Sequence, residues 1–299
     1  MFKGSITALI TPFKNGKVDR DAFARLVDWQ IKEGTSALVP VGTTGESPTL
    51  SHEEHKEVVE ICVEAAKKRV PVIAGTGSNC TAEAIDFAKH AKKAGADAQL
   101  VVTPYYNKPT QEGLYQHYKA LHDAVELPII IYNIPPRSVI DMTVETMARI
   151  AKLPRIAGVK DATGDLTRPL KTRLACGPKF SILSGDDGVA LATRAQSGDG
   201  CISVTSNIAP RLCADMHKAW EKGDFAAARK INELLMPLHE ALFVETSPAP
   251  VKFAASLLGL STAEVRLPMV HATENAQKRV RAAMEHVGLL PAKKAAAAE

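Results

Sequence analysis

Lysine, tyrosine, threonine and arginine stand where predicted strands end, and together they suit chemistry on a carbonyl carbon. The central stretch is Ile156-Ala157-Gly158-Val159-Lys160-Asp161-Ala162-Thr163-Gly164, a short apolar strand that ends on a lysine. An ammonium drawn out of water must find a partner or lose its proton. A lysine that is uncharged near neutral pH attacks carbonyl carbon. The ordinary alternative is a lysine at a strand end that reaches out to solvent. Two other segments argue for the reactive reading. One strand ends in Tyr132-Asn133-Ile134-Pro135-Pro136-Arg137, and another runs into Gly42-Thr43-Thr44-Gly45-Glu46. An amine forms an imine while a phenol beside it moves the protons. Arginine grips a carboxylate through two parallel hydrogen bonds, which lysine cannot do.

Such residues need a frame that brings strand ends together. Strands are expected over 4–10, 37–41, 70–74, 97–102 and 127–132, then the lysine strand, then 180–184 and 200–204. Helices alternate with them. Asp19 caps one with Phe23, Leu26, Val27 and Ile31 on one face, and Gly34 closes it. Ser51 and Glu54 form a capping box before Val58, Ile61, Cys62 and Ala65. Further helices start at Thr81, over 111–124 and at Thr143. Eight strand–helix repeats, spaced roughly 25–35 residues apart, suit parallel β/α units. The strands are near-continuous apolar runs, as when both faces are covered.

The expected fold is therefore an α/β (β/α)8 TIM barrel, whose active site lies at the C-terminal ends of the strands. A doubly wound open sheet is the alternative, but no Gly-x-Gly-x-x-Gly follows the first strand. Tyr132 then comes from the strand next to Lys160, so its hydroxyl comes within hydrogen-bond reach. Simple alternation puts Lys160 on the inward face with Gly158 and Ile156, and turns Ala157 and Val159 outward. Gly158 then leaves the amine room. Residues 1–223 read as the barrel and 224–299 as a C-terminal helical region. Its helices fall over 226–242, 251–258 and 273–286, with a capping box at Ser261 and Glu264. The tail from Pro291 onward is expected to fray.

Composition limits the function. The 299 residues are 45% hydrophobic and 23% charged, enough for a full core. A net charge of +4, spread along the chain, argues against a nucleic-acid partner. No stretch approaches the ~18 apolar residues of a membrane span. The start carries no secretory signal, so a cytoplasmic protein is expected. Cys62, Cys80, Cys176, Cys201 and Cys213 form no Cys-x-x-Cys and read as small core residues in a reducing compartment. Neither a metal nor a cofactor is expected.

Gly42-Thr43-Thr44-Gly45-Glu46, Tyr132-Asn133-x-Pro135-x-Arg137 and Gly158-x-Lys160 resemble, in order and spacing, the pyruvate-dependent class I aldolase superfamily. Thr103-Pro104-Tyr105-Tyr106-Asn107 and Leu235-Met236-Pro237-Leu238-His239 narrow the resemblance to the dihydrodipicolinate synthase family, over about residues 1–290. That resemblance implies that Lys160 forms a Schiff base with pyruvate. Tyr132 would be the general acid/base, in a proton relay with Thr43 and with Tyr106 borrowed from a neighbouring subunit. Thr43 and Thr44 would hold the pyruvate carboxylate, with the main chain at Ile202 also touching pyruvate. Arg137 would hold the carboxylate of aspartate semialdehyde, and the product would be a hydroxylated tetrahydrodipicolinate on the lysine and diaminopimelate route. At least a dimer is implied, and a dimer of dimers is common in the family. Asp161 stands where relatives often have Glu. Two other functions stay open: another pyruvate aldolase that cleaves a keto-sugar acid or sialic acid, and a ligand-sensing barrel without catalysis.

Weaker signals have plainer explanations. His52 and His55 are three apart, whereas a zinc helix needs His-Glu-x-x-His, so no metal is expected there. The resemblance instead implies a lysine effector site at Ser47, Pro48, His52, His55, Asn79, Glu83 and Tyr105, where helix-start polarity is the ordinary alternative. Gly75-Thr76-Gly77-Ser78-Asn79 reads as a tight turn more than a phosphate cradle. Ser184-Gly185-Asp186-Asp187 reads as helix capping by Asp186. Trp29 and Trp220 read as packing residues.

Overall fold

The computed structural model describes residues 1–291. The tail from Ala292, expected to fray, lies outside the described residues. Eight parallel strands form the barrel: β1 (Gly4–Ala8), β4 (Ala37–Val39), β5 (Ile73–Gly75), β6 (Ala98–Val102), β7 (Ile129–Asn133), β8 (Ile156–Asp161), β9 (Ser181–Ser184) and β10 (Gly200–Ser203). The sheet runs β4-β1-β10-β9-β8-β7-β6-β5, each strand beside its chain neighbour. A single parallel bridge, Leu38 to Val72, closes β4 onto β5. This seam is thin because Pro40 and Pro71 bring no N–H to the ladder. For the same reason β5 starts at Ile73, three residues later than its apolar run. A closed, wholly parallel cylinder rules out the open doubly wound sheet.

A small hairpin, β2 (Phe13–Lys14) and β3 (Lys17–Val18), follows β1. Helices α1 (Arg20–Lys32), α2 (His52–Ala66), α3 (Thr81–Ala94), α4 (Gln111–Ala124), α5 (Pro135–Ser138), α6 (Val144–Ile150), α7 (Arg168–Cys176), α8 (Ala190–Ala195) and α9 (Pro210–Glu221) surround the strands. Asp19, Ser51 and Thr143 cap α1, α2 and α6 through their side chains, as expected, and Ser51 and Glu54 complete the reciprocal box. Apolar side chains form two main shells. Ile6, Val39, Ile73, Leu100, Ile130 and Leu183 fill the barrel interior. A larger shell between sheet and helices takes in Leu235, Val251 and Val280 from beyond the barrel.

Those three belong to α10 (Phe225–Ala241), α11 (Ala249–Leu257) and α12 (Glu274–His286). Helix α10 packs on α9 and α12. The expected capping box at Ser261 and Glu264 is not there, because no helix follows it. Ser261 Oγ donates to the Thr262 carbonyl, and Glu264 Oε1 accepts the Gly16 N–H at 2.6 Å. The hairpin turn has taken the carboxylate that a cap would need.

The alternation read for the lysine strand also needs correction. Ile129 pairs with Ile156, but Ile130 pairs with Gly158, so Ala157 is an extra residue, a β-bulge. Ile156 therefore joins Val159 in the outer shell, while Ala157 packs on the inner one. Beyond the bulge, Gly158 and Lys160 align with Ile130 and Tyr132, both inner-shell residues. Among the described residues, no helix is long and apolar enough to cross a membrane.

Candidate active site

Strand register sets Lys160 directly beside Tyr132, and Asp161 beside Asn133. Lys160 is 5% exposed. Its Nζ lies 4.2 Å from the centre of the Tyr132 ring. The contact is with the face of the ring, where the sequence suggested the hydroxyl; a ring face attracts a cation through its quadrupole. Two glycines shape the surroundings, in a way the sequence did not reveal. A Cβ on Gly158 would lie 2.3 Å from the Ser181 carbonyl oxygen, so its smallness serves the approach of β9 and not the room for the amine. That room comes from Gly185, where a Cβ would lie 3.1 Å from Lys160 Cε and 2.8 Å from Ala162 Cβ.

The segment after β4 forms two successive 3-10 turns, Thr43–Gly45 and Ser47–Thr49, with Thr44 buried. Thr43, Tyr132 and Arg137 share the wall of a cavity of about 210 Å³, with Leu100, Val102, Ser47, Pro48 and Tyr105. Lys160 is not part of that wall; the amine adjoins it through Tyr132. Arg137 is exposed on the single turn of α5 and makes no ion pair among the described residues. Ile202 is fully buried in β10 and belongs to the inner shell. Tyr106 behaves differently: it is 89% exposed, has a φ of 72° and does not line this cavity. One chain thus lines a single cavity with Thr43, Tyr132 and Arg137, sets the amine against Tyr132, and leaves Tyr106 exposed.

The strand ends are braced from behind. Asn133 Nδ2 donates to Asp141 at 2.7 Å, and its Oδ1 accepts the Met142 N–H at 3.1 Å. Arg168 pairs with Asp141 at 2.7 Å and approaches Asp161 at 3.8 Å. Asp161 accepts both the N–H and the hydroxyl of Thr163, yet burial still raises its pKa. Asp186 caps the short turn over Asp187–Val189, as expected. Asp187, which the sequence left unassigned, is 4% exposed and accepts from the Ser203 hydroxyl and the N–H groups of Val204 and Thr205. It fixes the turn that follows Ile202. Only a position opposite β10 could have revealed this, and the local sequence does not show it.

The effector candidates fall into two groups. His52 Nε2 lies 2.8 Å from Glu83 Oε1, and Ser78 donates to the other oxygen of Glu83. Tyr105 stands near the same carboxylate; burial and then the Glu83 charge raise its pKa. Ser47 and Pro48 line the cavity with Tyr105. Asn79 offers its carbonyl to Asn107 Nδ2 at 2.8 Å. His55 is stacked on Phe87 at 4.0 Å and buried, and burial holds its pKa at about 4. The two imidazoles share Phe87, whose ring the His52 ring meets edge-on at 5.0 Å, and of the two only His52 is hydrogen-bonded to Glu83.

The model of the dihydrodipicolinate synthetase family matches residues 1–287. A 4-hydroxy-tetrahydrodipicolinate synthase of Rhodospirillum centenum is 66% identical over 290 residues, covering 97% of this chain and all of the relative. The crystal structure of a chloride-inhibited dihydrodipicolinate synthase from Acinetobacter baumannii, complexed with pyruvate, superposes with a TM-score of 0.95 at 46% identity, covering 97% of this chain and 100% of that one. A dihydrodipicolinate synthase from Cyanidioschyzon merolae with lysine bound superposes at 0.94 and 39% identity, covering 97% and 99%.

Proposed function

This chain belongs to the dihydrodipicolinate synthetase family, and from that premise we propose that it works as a 4-hydroxy-tetrahydrodipicolinate synthase through an imine on Lys160. It condenses pyruvate with aspartate 4-semialdehyde. The observation that carries the chemistry is a buried lysine whose Nζ stands 4.2 Å from the Tyr132 ring at the C-terminal end of a barrel strand.

The amine adds to the keto carbon of pyruvate and water leaves, giving an imine. The imine draws electrons from the methyl group, so a methyl proton leaves and an enamine forms. The enamine carbon attacks the aldehyde carbon, and the aldehyde oxygen takes a proton. When the amino group of the semialdehyde then attacks the imine carbon, the ring closes and Lys160 is released. Tyr132 and Thr43, on one cavity wall, pass the protons without burying a net charge. Thr43 and Thr44 hold the pyruvate carboxylate, beside the main chain at Ile202. Arg137 takes the carboxylate of the semialdehyde. An arginine at the rim favours this short acid over a sugar aldehyde. Tyr106, pointing outward, completes the relay in the site of a neighbouring copy.

Borohydride reduction in the presence of pyruvate tests the imine. The expected result is a stable mass adduct on Lys160 that is lost in a folded Lys160→Ala variant. A fully active Lys160→Ala enzyme would overturn the mechanism. Of the regulatory set Ser47, Pro48, His52, His55, Asn79, Glu83 and Tyr105, support comes from His52 and Tyr105 around Glu83, whose carboxylate suits the ammonium of a free amino acid. Free lysine is the effector proposed. Initial rates should fall as lysine is titrated in, and unchanged rates at millimolar lysine reject the site.

A further inference from the structure

Glu46 ends the Gly42-Thr43-Thr44-Gly45-Glu46 run, and the reaction has no use for its carboxylate. It is 2% exposed. Its Oε1 lies 2.6 Å from Nζ of Lys252 on α11, which is fully buried. Its Oε2 accepts the backbone N–H of Arg266 at 3.0 Å. The Lys252 ammonium lies 4.0 Å from the centre of the Phe13 ring, and the Arg266 guanidinium lies 4.3 Å from the same centre. Arg266 in turn holds Glu54 with two nitrogens, at 2.5 and 2.6 Å.

The backbone at Glu46 is strained. Its φ of 56° and ψ of 33° are left-handed, where a residue with a side chain rarely sits unless its surroundings hold it there. Its N–H donates to the Thr43 carbonyl at 3.1 Å, and Thr11 donates to the Gly45 carbonyl at 2.7 Å. The two threonines therefore sit in a tight turn anchored at one end by this buried carboxylate. Net stability is a weak explanation of the pair. Burial pushes the Lys252 ammonium down to about 8 even with Glu46 attracting it. A buried ion pair is weak support for a fold and is better attested as a means of fixing one arrangement.

We propose that the Glu46–Lys252 pair is a positioning device that holds the Thr43–Thr44 turn in the geometry that receives the pyruvate carboxylate. Helix α11 thus sets pyruvate affinity without touching the substrate. This rests on the reading of Thr43 and Thr44 as carboxylate ligands.

The test compares Glu46→Gln, Lys252→Met and their double variant. The pyruvate concentration that gives half-maximal borohydride-trapped adduct is measured, along with kcat and both KM values. If the turn spends only about a tenth of its time in the competent form, half-saturating pyruvate rises about tenfold. Saturating pyruvate restores the turn, so kcat changes by less than about threefold, and KM for the semialdehyde holds. The double variant should fall short of the product of the two single effects, because the residues act as one. Wild-type pyruvate half-saturation in folded Glu46→Gln overturns the proposal, and so does a loss confined to kcat. If Lys252→Met does not fold, Glu46→Gln decides alone, since the amide keeps an oxygen for the Arg266 N–H. Thr44→Val separates the two levels. If it leaves half-saturation unchanged, the carboxylate reading of the turn has failed. If it raises half-saturation and Glu46→Gln does not, only the anchor has failed.

Discussion

At the scale of single residues, the amine depends on what is missing around it. Gly185 leaves the space that the Lys160 stem occupies; a methyl there would stand 3.1 Å from Cε. Gly185→Ala should push Nζ off its line, and misplacement of a reacting atom by about 1 Å costs about a hundredfold in rate. Crowding of this kind costs about 1–3 kcal/mol of stability, so the variant should still fold. Adduct formation with pyruvate and a urea titration check both parts, and a wild-type adduct rate would remove Gly185 from the site. The placement of Lys160 and Tyr132 was legible in the sequence because each lies near the end of an apolar run, and that of Thr43 because it stands in the loop after one. Gly185 was not, because its neighbours Ser184 and Asp186 read locally as a helix start. Glu46 was not either, since the lysine that explains it lies 206 residues away.

At the scale of elements, capping chemistry and apolar period were enough to outline α1, α2, α4 and α6. The hairpin was missed although Asn15-Gly16, both at positive φ, is a strong two-residue turn signal, because its strands are only two residues long. The bulge at Ala157 was illegible because it answers to β7, not to its own sequence. Several helices also dock through buried imidazoles. His55 on α2, His117 on α4 and His217 on α9 are 3–5% exposed, and burial lowers each from 6.5 to about 4. Between those values the unfolded chain binds protons that the fold refuses. Stability therefore falls as pH drops below 6.5, with a slope approaching about 1.4 kcal/mol per pH unit for each histidine. Urea midpoints from pH 7 to 5, where most carboxylates stay ionised, should show this fall, and His217→Leu should flatten it. Constant midpoints across that range would contradict the burial of these groups as neutral imidazoles.

At the scale of the whole molecule, the barrel was the most legible feature, since eight apolar strands alternating with capped helices leave few other ways to close. What the chain does alone is a separate matter. The Tyr106 ring, 89% exposed, is placed in solvent by the chain that carries it. On the reading above, each active site is then made from two copies, and two broken enzymes can mend each other. Chains with Lys160→Ala and chains with Tyr106→Phe, unfolded and reassembled in equal amounts, would form mixed pairs in about half of cases, each with one intact site of two. About a quarter of wild-type activity should return from two dead parents; if none returns, every chain works with its own side chains only.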